Sequence, residues 1–173
     1  MISEQLLTRI KPFIDLQQPQ SYYLILSSKT SSQMHLPQDV FYQEGVLTFK
    51  NKQPVTFYMI YDGQEDLHMD MHFQAYCQVD LIEIKLLSSQ CHLYKTMRLD
   101  EGATVHAFSE NLSQSSQSHE DVYLEAYASC QCGYSELSDD AFEGVYHFYL
   151  DGVEASAMVR TAILAKDIES KHH

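Results

Sequence analysis

Tryptophan is absent from this 173-residue chain, and proline is confined to its first third, at Pro12, Pro19, Pro37 and Pro54. Irregular entry followed by 119 proline-free residues suits an uninterrupted strand ladder, because each proline removes a hydrogen-bond donor from one. No glycine precedes Gly45. No apolar run approaches the ~20 residues needed to cross a bilayer as a helix. The start, Met1-Ile2-Ser3-Glu4-Gln5, lacks the basic flank and apolar block of a signal peptide. The chain is therefore expected in the cytoplasm, with its four cysteines (Cys77, Cys91, Cys130, Cys132) as reduced thiols rather than a disulfide framework.

Positive charge is scarce as well. Net charge is −13, and between Arg98 and Arg160 there is no Lys or Arg while that interval holds twelve acids. Phosphate backbones and anionic lipid heads repel such a segment, so nucleic acid and membrane are not expected partners. Two readings of the acids stand: a face that docks a basic protein, or solubility charge on the outward sides of strands. The second is the simpler, since charge runs usually decorate solvated faces. The patterns of common enzyme sites are missing too: no Gly-x-Ser-x-Gly elbow, no phosphate-cradling Gly-rich loop, no His-Glu-x-x-His helix. Carboxylate pairs such as Glu120-Asp121 and Asp139-Asp140 arise easily in so acidic a chain. The expectation is a protein that is not an enzyme, with no catalytic residue assigned.

What is present points to β-structure. Hydrophobic residues make up 45% of the chain, enough for a core, and Tyr (12) and Phe (8) suit pleated, half-buried surfaces. At this length one domain is expected, burying about 70% of its unfolded surface. Residues 1–20 read as a short helix and connector, with Leu6, Leu7, Ile10, Phe13 and Ile14 near helical spacing and Ser3 as N-cap. Pro12 stops that helix near Ile10 or Lys11. Residues 21–173 read as a single β-domain. Its clearest run is Leu67, Met69, Met71, Phe73, Ala75, Cys77, Val79 and Leu81, with polar residues mostly between, as in a strand or pair of strands packed on one side. At Ile82, Ile84 and Leu86 the parity flips, which predicts a bend or bulge near Leu81-Ile82. Further strands are predicted at 91–99, 103–109, 122–132, 145–150 and 155–165, with a polar loop from Asn111 to Glu120.

Two constellations invite a metal reading. In Cys130-Gln131-Cys132 both sulfurs project to one face of a strand, and His147 on a later strand is a candidate to join them. The same parity continues Val122, Leu124, Ala126 and Ala128, so core packing accounts for both thiols. His68, Asp70 and His72 share a strand face, but the outer two lie about 13 Å apart at the rise of a strand, too far for one ion. A site there needs residues from neighbouring strands, and the polar side of an amphipathic strand is the simpler account. Lys171-His172-His173 is given no chemistry. No metal ligand is assigned, and cofactor-binding residues stay unknown.

Two all-β architectures fit, a right-handed parallel β-helix (solenoid) or a β-sandwich or jelly roll. The glycine intervals are too irregular to reveal a repeat. Leu99-Asp100-Glu101-Gly102-Ala103-Thr104-Val105 nevertheless returns in altered form as Leu150-Asp151-Gly152-Val153-Glu154-Ala155-Ser156-Ala157, each a polar turn before small and β-branched residues.

The second half of the chain resembles the core domain of the SufB/SufD family, scaffold subunits of the Suf iron–sulfur cluster assembly system. The resemblance lies in the order and spacing of Met97-Arg98-Leu99-Asp100-Glu101-Gly102-Ala103, Tyr134-Ser135-Glu136-Leu137, Tyr146 through Ala155 (Tyr-His-Phe-Tyr-Leu-Asp-Gly-Val-Glu-Ala), and Ala162-Ile163-Leu164-Ala165-Lys166. It implies a right-handed parallel β-helix and a scaffold acting through protein–protein association. The implied partners are a SufC-like ATPase and a SufB/SufD-like paralogue, with an iron–sulfur cluster held only in a full assembly. The family pattern runs on past Lys166, so no family functional residue is carried onto this sequence. A last coil ending there predicts a homodimer in isolation through the C-terminal strand, around Ile163 and Leu164. The alternative from another class is a non-enzymatic binding module, cupin-like or carbohydrate-binding, with antiparallel sheets around a tyrosine-lined pocket.

Overall fold

The computed structural model describes residues 4–16, 18–28, 32–113, 115–136, 142–163 and 170–172. They form one short helix, α1 (Glu4–Ile10), and fourteen strands. The strands are β1 (Tyr22–Ser27), β2 (Gln33–His35), β3 (Val40–Gln43), β4 (Val46–Phe49), β5 (Val55–Gly63), β6 (Leu67–Phe73) and β7 (Gln78–Leu87), followed by β8 (His92–Leu99), β9 (Thr104–Asn111), β10 (Ser116–Leu124), β11 (Ser129–Glu136), β12 (Phe142–Leu150), β13 (Ser156–Ile163) and β14 (Ser170–His172). Successive strands alternate between two seven-stranded sheets. Sheet A runs β13-β11-β9-β7-β5-β1-β2, and sheet B runs β14-β12-β10-β8-β6-β4-β3. Pairing is parallel except for β1–β2 and β3–β4 at the N-terminal edges. Val55 lies beside Val79, Gln78 beside Thr104 and Thr104 beside Ser129, so one coil takes about 25 residues. The result is a parallel β-solenoid of about 4 turns. The expected parallel pairing among 103–109, 122–132 and 155–165 is present as β9–β11–β13, and the sandwich alternative is excluded.

The coils stack because their corners repeat. Four passages from sheet B to sheet A, those after β6, β8, β10 and β12, are tight turns in which the fourth N–H returns to the first carbonyl: Cys77 to Gln74, Ala103 to Asp100, Ala128 to Glu125, Ala155 to Gly152. The third residue is left-handed every time, at Tyr76 (φ 63), Gly102 (φ 65), Tyr127 (φ 59) and Glu154 (φ 56), as a type II turn requires. The fourth is small and buried or packed on the core, so the chain enters the next strand without a void. Backbone bonds join neighbouring corners as well, from Tyr76 N–H to Glu101 O, Gly102 N–H to Ala126 O and Tyr127 N–H to Val153 O. Gly102 sits under the Tyr76 ring, where an added Cβ would fall 2.5 Å from a ring carbon.

Inside, the first coils are dry: Phe49, Phe57 and Phe73 pack together, with Phe49 and Phe73 stacked at 4.8 Å. Outside, α1 covers sheet A with Leu6 and Ile10, and Ile14 follows, all resting against Ile25, Ile60, Ile84 and Leu86. No helix among the described residues is long and apolar enough to cross a membrane.

The helix ends at Ile10 as expected from Pro12, while its expected cap, Ser3, lies outside the described residues. Three other expectations need correction. Strand β7 carries no bulge near Leu81-Ile82, for its register with β5 and β9 is unbroken. The parity flips there because Ile84 and Leu86 face outward under α1, while Glu83 and Lys85 continue the inward series of Val79 and Leu81. The predicted strand 122–132 is two strands parted by the corner Glu125–Ala128. Finally, much of the polar stretch 111–120 is strand, because Ser116, Ser118 and Glu120 point into a polar interior rather than to water.

Candidate functional site

That polar interior begins where Met59 and Tyr61 of β5 and Met69 of β6 give way, one coil later, to Glu83, Lys85 and Lys95. Lys95 Nζ lies 2.6 Å from Glu83 Oε2 and 2.8 Å from Glu120 Oε2, and Lys85 Nζ lies 3.0 Å from Glu120 Oε1. The Glu83, Lys95 and Glu120 side chains are 0% exposed. Tyr61 donates to Glu83 Oε1 at 2.7 Å, and Tyr134 donates to Glu120 Oε2 at 3.0 Å. Beside them Asn111 donates to Glu136 at 2.6 Å and to Ser116 Oγ at 2.7 Å.

Burial on its own raises a carboxyl pKa. At Glu120 the two ammonium groups, Lys85 foremost, more than reverse that and hold it at about 2. Burial likewise pulls both lysines down, and Glu120 is the main group that keeps them well above the ordinary lysine range. Burial, followed by the neighbouring carboxylates, pushes the Tyr61 and Tyr134 phenols up. Glu120 and the two lysines are therefore charged throughout the neutral range. The network crosses from sheet to sheet, joining Glu83 and Lys85 on β7 and Tyr134 on β11 to Lys95 on β8 and Glu120 on β10.

Cys130 and Cys132 lie in this interior on β11, their sulfurs 3.3 Å apart and both side chains buried in the core. The contact with Cys132, reinforced by burial, raises Cys130; the same contact lowers Cys132. Cys77 and Cys91 are buried thiols pushed up to about 12 and about 11, mainly by desolvation. His147 does not join Cys130 and Cys132, because it projects from the outer face of sheet B, where its side chain is 48% exposed.

That outer face gathers aromatic and titratable side chains into rows across the strands. Register places His68, Tyr94 and His119 in one row, Asp70, Thr96, Asp121 and His147 in the next, and His72, Arg98, Tyr123 and Tyr149 in a third. His68 stacks on Tyr94 at 4.9 Å and Tyr123 on Tyr149 at 4.5 Å, with the Arg98 guanidinium 4.9 Å from the Tyr123 ring centre. His72 donates to Asp100 at 2.8 Å. His68, Asp70 and His72 thus form no site among themselves. The convergence is one coil further on, where His119 Nε2 and His147 Nδ1 lie 3.3 Å and 2.9 Å from the same oxygen of Asp121.

Neither grouping stood out in the sequence. The interior network was signalled by charged residues at inward parity, Lys95 between Leu93 and Met97 and Glu120 between Ser118 and Val122. Glu120 and Glu136 are accordingly not the solvated surface charge that their acidic interval suggested. The histidine convergence needed the coil length, which puts Asp121 beside His147. Comparison with known proteins adds no relative: no family model, no curated protein and no solved structure matches this chain.

Proposed function

We propose that this chain is a cytoplasmic iron–sulfur cluster assembly scaffold subunit of the SufB/SufD type, acting through protein–protein association. A SufC-like ATPase and a SufB/SufD-like paralogue are its partners, and the cluster is cargo of the full assembly. The observation that carries the reading is the agreement between the resembling segments and the coils. Met97–Ala103 ends β8 and rounds a corner, Tyr134–Glu136 closes β11, Tyr146–Ala155 supplies the second half of β12 and the last described corner, and residues 162–163 end β13. Leu137 and residues 164–166 of those segments lie outside the described residues. The parallel solenoid is also the architecture that the resemblance implies. The competing binding module was defined by antiparallel sheets around a cavity, and parallel sheets leave it without that frame. Depletion of the protein in its native cell tests the proposal. Cluster occupancy of iron–sulfur enzymes is expected to fall while their polypeptide levels hold, and unchanged occupancy refutes the reading.

A further inference from the structure

The exposed face of sheet B carries a second inference, independent of the scaffold reading. His119 and Asp121 are two residues apart on β10 and so project to the same side, and His147 is the cross-strand partner of Asp121 on β12. The candidate donor atoms of these three side chains all lie within 4.8 Å of one another. Two of the separations, 2.9 and 3.3 Å, are close to the spacing of about 3.3 Å between ligand atoms on a tetrahedral zinc ion.

The geometry points to a divalent transition-metal site made by His119 Nε2, Asp121 Oδ1 and His147 Nδ1, with a fourth position open to water or a small ligand. Two imidazoles and one carboxylate select zinc or a neighbouring first-row ion over calcium and magnesium, which take oxygen donors. The two histidine rings meet edge to face, 5.1 Å between centres, so a small rotation brings both nitrogens onto one ion. The other exposed His–Asp pairs among the described residues, His72 with Asp100 and His106 with Asp80, each bring a single imidazole to the carboxylate. An open groove of about 240 Å³ adjoins His119, lined also by His92, Tyr94 and Glu143. The nearby cation, Arg98, is drawn onto the Tyr123 ring one row away. The Lys- and Arg-free stretch on either side of these residues favours a bound cation.

The test is titration of the metal-free full chain with Zn²⁺ by calorimetry, and with Co²⁺ by its visible spectrum. His172 and His173 are replaced by Ala in the reference protein, so that the terminal pair contributes nothing. One ion per chain is expected, with affinity reduced about tenfold or more in H119A, in H147A and in D121N, and unchanged in H106A. None of the three ligand side chains is buried, at 39%, 27% and 48% exposed for His119, Asp121 and His147, so an unchanged metal-free melting midpoint confirms that each variant is folded. Diethyl pyrocarbonate modification gives a readout that needs no variant: Zn²⁺ is expected to protect His119 and His147 but not His106. No binding in the H172A/H173A protein, or binding that survives H119A and H147A together, overturns the site.

Discussion

Replacing Lys95 with Met removes the ammonium that joins Glu83 to Glu120 while keeping a side chain of similar length. Glu83 then retains Tyr61 as donor, and Glu120 retains Lys85 and Tyr134. Two carboxylates each lose a charge-assisted bond, at 2.6 and 2.8 Å, in an interior that water does not reach. Breaking a buried pair from one side typically costs about 3–5 kcal/mol, because the survivor is left uncompensated. The remaining donors place K95M toward the lower end, at about 3 kcal/mol, which for a chain of this size lowers the melting midpoint by roughly 6–12 °C. Urea unfolding followed by circular dichroism measures it, with an unchanged m-value showing that the denatured state is not the source. Combining K95M with E83Q removes one of the stranded charges and is expected to recover about 1–2 kcal/mol, a coupling that only contacting residues show. A K95M loss below about 1 kcal/mol would refute the reasoning, for it would mean that the amine is solvated rather than enclosed.

Other outcomes follow from the same coordinates. Glu120 is held at about 2 in the folded protein against an ordinary 4.5, so the stability it contributes is present above about pH 4.5 and is lost as pH falls toward about 2. Melting midpoints across that window should drop, and E120Q, though less stable at pH 7, should show a flatter profile; parallel profiles would contradict the assignment. Replacing Cys130 and Cys132 together with Ala should cost about 1–3 kcal/mol in urea unfolding, and a thiol reagent should label none of the four cysteines until denaturant is added. Rapid labelling of the native protein would show that the interior is open. In G152A the new Cβ would fall 2.0–2.4 Å from the Glu125–Ala126 backbone, so a loss of about 2 kcal/mol or more is expected in the same assay, and a neutral result would mean that this corner is misplaced.

The period-two pattern of Leu67 through Leu81 was legible because every odd position there is apolar or small, whichever strand it occupies. The same rule misled at Ile82–Leu86, where both faces of β7 are covered and the inward side chains are Glu83 and Lys85. Read by parity alone, a charged inward residue looks like a change of face. The corners were half legible. Gly102 marks one by its left-handed conformation, but Tyr76, Tyr127 and Glu154 hold the equivalent positions without glycine, so the recurrence about every 26 residues was hidden. The segments Leu99–Val105 and Leu150–Ala157 do occupy equivalent corners, although their glycines do not. Gly102 is the third residue of its turn and Gly152 the first of its own, two corners on, because that corner is one residue longer. The outer histidine cluster was illegible for a simpler reason: Asp121 and His147 meet only once the coil length is known.

The scaffold proposal is tested most directly by isolating the tagged protein from its native cells under mild conditions and identifying what comes with it by mass spectrometry. The account predicts a SufC-like ATPase or a SufB/SufD-like paralogue, enriched well above an untagged control. Capture of the tagged chain without either, in cells where a second tagged Suf subunit recovers both, would contradict it.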